Sequence, residues 1–312
     1  MIKMLGFRFV SKPYDGWING MEMHGDVFEY VYDYKHGKDY PADCYLQANL
    51  IKPKFFLENT KDIYGDKYQY ILDSKKPYIV TESPPFREYP EYKRYGWYSY
   101  GWVDANCNND NVGPERWNKF VKRTNISIKD WHSPGDDIII MSQKEGDSAL
   151  THLYKTHESF YDWVVDVIKE IRKYSDRRII IRPHPRNLDR GIKKANAIIK
   201  DTDIKNVYIS NNVTAGGKQG GEGLNIDLAN AYCVVTFNSL SAIEAVTRGI
   251  PVFALDNMSM AWPIAHKDIS SIENLDYTID LQSWKNKIAY TMWNREETSS
   301  GETWAHLKSV YF

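Results

Sequence analysis

Two short stretches of this 312-residue chain gather polar side chains where the backbone has least freedom. In Arg182-Pro183-His184-Pro185-Arg186 a histidine stands between two prolines, so its backbone is rigid and cannot join a helix. With Arg182 and Arg186 it makes a compact cationic donor set suited to a phosphate; the plainer alternative is a polar turn with solvated arginines. In Asn238-Ser239-Leu240-Ser241-Ala242-Ile243-Glu244-Ala245 small polar residues lead from a strand into a helix. First-turn amides and the helix dipole favour an anion there, and Asn238 and Ser239 are expected to touch it. Glu244, one turn in, could accept hydrogen bonds from a ribose, yet Ser241-x-x-Glu244 also reads as a capping box. A Gly-rich loop, Ala215–Gly223, carries Lys218 and could approach a ligand with its amides. It matches neither a Walker loop nor a dinucleotide fingerprint, and a surface loop explains it equally well.

The elements that must position these residues are clearest from about residue 135 onward. Asp136-Asp137 lead into the apolar run Ile138–Met141, the pattern of a buried parallel strand, and Gln143, Asp147 and Ser148 follow it. Trp163, Val164, Val167, Ile168 and Ile171 predict a helix over Ser159–Tyr174. Strands are expected at Arg177–Pro183, Val207–Ser210, Cys233–Phe237 and Pro251–Leu255. Helices are expected near Asp189–Lys200, Asn225–Ala231 and Ser239–Arg248, the last closing at Gly249. Strand and helix alternate at βαβ length, so residues 135–312 should be a doubly wound parallel sheet, with a last helix near Leu281–Trp293 that could cross back. Ligands of such sheets bind at the carboxyl ends of the strands, where both stretches above fall.

Residues 1–134 read as a second α/β domain of short strands and long polar loops. Strands are expected in MIKMLGFRFV, at Cys44–Leu50 and at Lys76–Thr81, with a polar loop through Asp15-Gly16-Trp17. Pro84-Pro85 stop the third strand and leave Glu82 on a loop at its carboxyl end. An aromatic tract (Tyr89–Trp102) and an Asn/Asp-rich loop (Asn106–Asn111) precede a helix over Pro114–Arg123.

Composition narrows the function classes. Formal net charge is -1, so no global field advertises a polyanion partner. Three scattered cysteines exclude a disulfide framework and fit a reducing cytosol. No apolar run approaches the roughly 20 residues of a membrane helix, the N-terminus is no signal peptide, and a cytoplasmic location is expected. Neither HExxH nor a paired-histidine motif occurs, and the one DxD, Asp201-Thr202-Asp203, precedes its strand, so no obligatory metal or other cofactor is expected. The absence of GxSxG leaves acyl chemistry without support. His132, His152, His157, His266 and His306 show no partner pattern.

The ordered set Gln143…Asp147-Ser148, Arg182-Pro183-His184-Pro185 and Asn238-Ser239…Glu244-Ala245…Gly249-x-Pro251-Val252 resembles the capsule-polysaccharide biosynthesis family, which contains Kdo transferases and, more distantly, other GT-B glycosyltransferases. The resemblance covers about residues 136–262. It implies a GT-B-like fold, two Rossmann-type domains facing a cleft, with a nucleotide-sugar donor held by the C-terminal domain. It further implies that His184 contacts the donor phosphate and that Asn238, Ser239 and Glu244 line the nucleotide site. Gln143, Asp147, Arg182, Ser241 and Lys218 complete the expected donor set. The acceptor hydroxyl needs a base, for which Glu82 is the first candidate and Asp26, with His24 in MHGD, the second. His184 and Arg182 would stabilise the leaving phosphate without a metal.

A glycan acceptor follows from the resemblance. Hydroxymethylated DNA, the acceptor of phage-type GT-B enzymes, is the alternative, because Arg87, just before the aromatic tract, and Lys93 and Arg94 within it mix cations with the aromatics, and Arg116, Lys119, Lys122 and Arg123 follow. Against it, residues 1–134 carry 19 Lys+Arg and 18 Asp+Glu. The tract could equally be a tyrosine-rich core and rim. A non-catalytic nucleotide-sugar or glycan-binding module and a sugar-nucleotide epimerase are the other readings of the same residues.

Overall fold

The computed structural model describes residues 1–7, 16–35, 37–48, 63–105, 109–202, 204–215 and 221–312, with backbone alone at 63–66 and 201. The chain divides into two compact units: residues 1–85, 89–124 and 285–312 form the first, and residues 86–88 with 125–284 the second. Both are α/β and both contain parallel strands.

The first unit begins β1 (Lys3–Phe7), α1 (Trp17–Glu22), β2 (Val27–Val31), β3 (Cys44–Ala48), α2 (Ile63–Asp73), β4 (Tyr78–Glu82), β5 (Tyr92–Trp97) and α3 (Glu115–Thr124). Strands β2, β1, β3 and β4 are mutually parallel, and β5 closes antiparallel on β4. Alternation along the strands sends Met4, Cys44 and Leu46 to one face and Leu5, Phe7 and Tyr45 to the other, each with its own core. The polar loop expected through Trp17 is instead the start of α1. Gly16, at φ 110, turns the chain, and Trp17 and Met21, four apart, are buried side by side. The aromatic tract supplies β5, whose Tyr95 and Trp97 are core residues. Asp15 and residues 49–50 and 106–108 of the expected loops and strand lie outside the described residues.

The second unit is built from β6 (Asp137–Met141), α4 (Phe160–Arg172), β7 (Ile179–Arg182), α5 (Leu188–Thr202), β8 (Val207–Ile209), α6 (Glu222–Ala229), β9 (Ala231–Thr236), α7 (Ser241–Thr247) and β10 (Val252–Ala254). All five strands are parallel, in the order β10-β9-β6-β7-β8. The order reverses between β6 and β9, so their carboxyl ends, with Met141 beside Thr236, mark the switch point. Ser159 caps α4 by accepting from the Asp162 amide at 3.2 Å, and the helix buries Phe160, Trp163, Val164, Val167, Ile168 and Ile171. Two expected boundaries move: α6 starts at Glu222 and β9 at Ala231, two residues before Cys233, where a register shift lets Ala231 pair with Asp137.

The expected last helix appears as α8 (Gln282–Ala289) but does not end the chain. It is followed by β11 (Met292–Asn294), α9 (Arg295–Ser299) and α10 (Glu302–Tyr311). Strand β11 adds antiparallel to β5, and Trp304 and Leu307 of α10 pack into the core with Trp17 and Met21. A capping box, Asn294 with Glu297, starts α9. Among the described residues no helix is long and apolar enough to cross a membrane.

Candidate functional site

The carboxyl ends of β6, β7 and β9 surround a cavity of about 360 Å³ in the second unit. Arg182 closes β7 and reaches the cavity with Pro183, His184 and Pro185, while Met141 and Ser142 enter from β6 and Ser239 and Ser241 from the loop after β9. Arg87 lines it as well.

Arg182 is braced by a buried carboxylate. Asp227 on α6 accepts from the Arg182 guanidinium, from Ser210 Oγ at 2.6 Å and from Asn212 Nδ2 at 2.6 Å. Their side chains are 12% and 5% exposed, so the guanidinium has one well-defined position at the cavity wall. Gly223 permits this approach, because a Cβ there would collide with the Asn212 carbonyl. His184 is fixed differently. Its Nδ1 accepts from the Arg186 amide at 3.1 Å, and burial lowers its pKa, favouring neutral imidazole. Nδ1 also lies 3.3 Å from the Arg186 carbonyl, so both tautomers of the neutral ring fit this turn, and Nε2 is a donor in the one in which Nδ1 accepts.

Asn238 and Gln143, expected to meet a ligand, spend their side chains on each other. Gln143 Nε2 donates to Asn238 Oδ1 at 2.8 Å, and the Asn238 amide donates to Gln143 Oε1 at 3.0 Å. Asn238 Nδ2 also donates to the Ala149 carbonyl at 2.8 Å and to Asp256 Oδ1 at 2.9 Å. Asp256 accepts further from the Met258 amide at 3.0 Å and, through Oδ2, from His152 Nδ1 at 2.8 Å. This network ties the loops after β6, β9 and β10 together at the switch point. Asp147 serves the same region locally by capping a short turn, accepting from the Ala149 amide at 3.0 Å.

The capping-box reading of Ser241 and Glu244 does not hold. Leu240 is the N-cap of α7, Ser241 lies inside the helix, and no side chain caps it. Glu244 is instead a buried carboxylate neither of whose oxygens has a hydrogen-bond partner among the described residues. Arg87 stands 3.8 Å away, too far for a hydrogen bond. Burial raises the pKa of Glu244 against the pull of Arg87 and Arg248. Ser142 Oγ, at the cavity wall, is likewise buried without a partner among the described residues. Native interiors rarely leave such groups unsatisfied. Helix α7 has only two turns, so cations and side-chain donors, rather than its dipole, dominate the cavity.

The other expected residues lie elsewhere. Glu82 ends β4 in the first unit and accepts from the Ser83 amide at 2.7 Å. Asp26 is also in the first unit and accepts from the Ile2 amide at 2.7 Å, Trp304 Nε1 at 2.8 Å and Lys308 Nζ at 2.6 Å. Burial works against its charge, yet these donors, Lys308 foremost, hold its pKa below the usual value. Lys218 and Asp203 fall outside the described residues. Sequence reasoning missed Arg87 as a cavity residue, Ser142, Asp227 and the His152–Asp256 pair, because tertiary structure alone brings them there. The basic cluster of the first unit is largely neutralised: Arg116 and Lys119 pair with Glu297 at 3.2 and 3.1 Å, and Arg123 pairs with Glu296 at 2.6 Å. Arg116 also stacks on Trp293. No group of three or more His, Cys, Asp and Glu that could hold a metal ion occurs among the described residues.

No protein-family model matches the chain, and no curated protein sequence does. Among solved structures it is similar to a beta Kdo 2,7 transferase, KpsC of Thermosulfurimonas dismutans, with 14% identity, a TM-score of 0.49 and coverage of 98% of this chain and 99% of that one. The beta Kdo 2,4 transferase of the same organism's KpsC gives 12% identity, a TM-score of 0.46 and coverage of 92% and 89%. Likeness at that level transfers no residue role.

Proposed function

We propose that the chain is a glycosyltransferase of the GT-B kind, moving a sugar from a nucleotide-sugar donor to a hydroxyl of a glycan. The observation that carries this reading is the cavity of the second unit. There Arg182, neutral His184, Arg87 and three serines line a space, and Arg87 stands 3.8 Å from Glu244, a buried carboxylate without a hydrogen-bond partner among the described residues. Cationic and N–H donors suit the phosphate of a departing nucleotide, and an unsatisfied carboxylate suits the vicinal hydroxyls of a ribose.

On this reading the second unit holds the donor and the first serves the acceptor. Arg182, positioned by Asp227, and His184 Nε2–H stabilise charge as it develops on the leaving phosphate, with no metal or other cofactor assigned a part. Asn238 and Gln143 act through the shape of the loop that presents Ser239 and Ser241. Glu82 is the proposed proton acceptor for the attacking hydroxyl. Asp26 suits that role less, since three donors already hold its carboxylate. A DNA acceptor is disfavoured, because Glu296, Glu297 and Glu302 occupy the basic cluster that would meet phosphates.

A thermal-shift screen against UDP-, GDP-, CMP- and TDP-sugars tests the donor site, because a ligand that binds only the folded state raises the apparent Tm. A shift with one nucleotide class, lost in His184→Ala, is expected. An equal shift in wild type and variant removes His184 from the site, and no shift with any donor removes the donor reading itself.

A further inference from the structure

The first unit carries a cavity to which the reading above gives no role. It encloses about 360 Å³, within the roughly 300–1,000 Å³ of small-molecule sites. Its place follows from the sheet. Strands β4 and β5 are antiparallel, with Ile79 opposite Trp97 and Glu82 opposite Arg94, and the Tyr98 amide donates to the Tyr78 carbonyl. The chain from Tyr98 to Ala105 therefore leaves the sheet at the amino end of β4, away from Glu82. Binding at that end is separate from the carboxyl-end chemistry of parallel strands.

Tyr95, Tyr100 and Trp102 give the cavity its aromatic walls. The Arg94 guanidinium lies 4.3 Å from the Tyr100 ring centroid and holds that ring in place. Asn109 is pinned from two sides: its Oδ1 accepts from His306 Nε2 at 2.9 Å and its Nδ2 donates to the Lys287 carbonyl at 3.2 Å. One N–H and one lone pair of the carboxamide are left over. At the rim Lys287 and Asp110 form an ion pair at 3.1 Å, with side chains 30% and 90% exposed.

We propose that this cavity is a binding site for a neutral saccharide, independent of donor binding in the second unit. A sugar ring offers C–H faces to aromatic walls and hydroxyls to a rigid carboxamide, a carboxylate and an ammonium, and those are the groups assembled here. Charge decides between a sugar and a nucleic acid. Lys287 is the cation among the lining residues and Asp110 already pairs with it, so a phosphate gains no net attraction and meets an exposed carboxylate. Hydroxyls can bond both members of the pair.

The test is titration of the full chain with maltose, cellobiose and N,N′-diacetylchitobiose, followed by tryptophan fluorescence and calorimetry, with a single-stranded oligonucleotide as a second probe. At least one disaccharide should saturate the protein, and Trp102→Ala should weaken that binding about tenfold or more. Lys287→Gln, a milder change in an exposed ion pair, should weaken it severalfold, which guards against misfolding of the tryptophan variant. Nucleotide-sugar thermal shifts should be the same in both variants as in wild type. The proposal is overturned if none of the three disaccharides saturates, if binding ignores both substitutions, or if the oligonucleotide binds and displaces the sugar.

Discussion

Replacing Glu244 with methionine should raise stability and weaken nucleotide binding in one step. The carboxylate is 9% exposed, both oxygens lack hydrogen-bond partners among the described residues, and Arg87 is 3.8 Å away. An unsatisfied buried polar group costs about 1–3 kcal/mol, which an apolar side chain of similar size would recover. Methionine has a similar length and an adaptable shape. Some attraction to Arg87 is lost, but that guanidinium is 22% exposed and can hydrate, so a net gain of about 1–2 kcal/mol is expected. For a unit of this size each kcal/mol moves Tm by about 2–4 °C.

The pH dependence supplies the sign. Burial raises the folded-state pKa of Glu244, so the folded chain holds that proton more tightly than the unfolded chain. Wild-type stability therefore falls as pH rises from the unfolded value of about 4.3 through the folded one. The methionine variant lacks that loss, so its advantage is greatest above the folded-state pKa of Glu244 and fades as pH falls toward the unfolded value. Nucleotide affinity should fall roughly 10- to 150-fold, the worth of hydrogen bonds to a charged group at about 1.5–3 kcal/mol. Scanning fluorimetry across pH, with and without the nucleotide, reads both effects. A variant less stable than wild type at the higher pH, or one with unchanged affinity, would refute the idea that this carboxylate is kept for a ligand.

Asp227→Asn should cost about 3–5 kcal/mol in urea unfolding, because it leaves the Arg182 guanidinium buried without its charge partner; a loss under about 1 kcal/mol would mean that Arg182 is not held by this pair. His184 has a pKa lowered by burial, so wild-type stability should decline as pH falls from about 6.5 through the folded-state value, and His184→Gln should remove that part of the slope. An unchanged slope would place the titration elsewhere. Glu82→Gln should leave nucleotide affinity intact while slowing sugar transfer in single-turnover assays, and an unaffected rate excludes it as the base.

The parallel sheet of the second unit was legible because its strands are short β-branched runs, such as Ile138–Ile140 and Ile179–Ile181, between helices of clear period. The first unit was harder. Its core is built from Trp17, Tyr45, Tyr95, Trp97, Trp293 and Trp304, residue types that read as readily as surface or binding groups. Three-residue β11, bounded by an aromatic stretch, gives almost no periodic signal, so the pattern shows only the helix near Leu281–Trp293.

At the site, Arg182 and His184 could be singled out because prolines freeze their backbone and the strand before them is unmistakable. Asn238 and Gln143 were recognisable as polar residues at strand ends. That they bond each other followed only from the adjacency of β6 and β9, a crossover the linear pattern does not encode. The same holds for Arg87, brought to the cavity from a segment far away in the chain, and for Asp256, whose pairing with His152 spans 104 residues.

Incubating the full chain with CMP-, UDP-, GDP- and TDP-sugars and quantifying released nucleotide asks most directly whether the second unit holds an activated sugar donor. Slow release from one nucleotide class, accelerated by a glycan acceptor and lost in His184→Ala at unchanged circular dichroism, is the expected result. No release from any donor, or release that survives loss of His184, contradicts it.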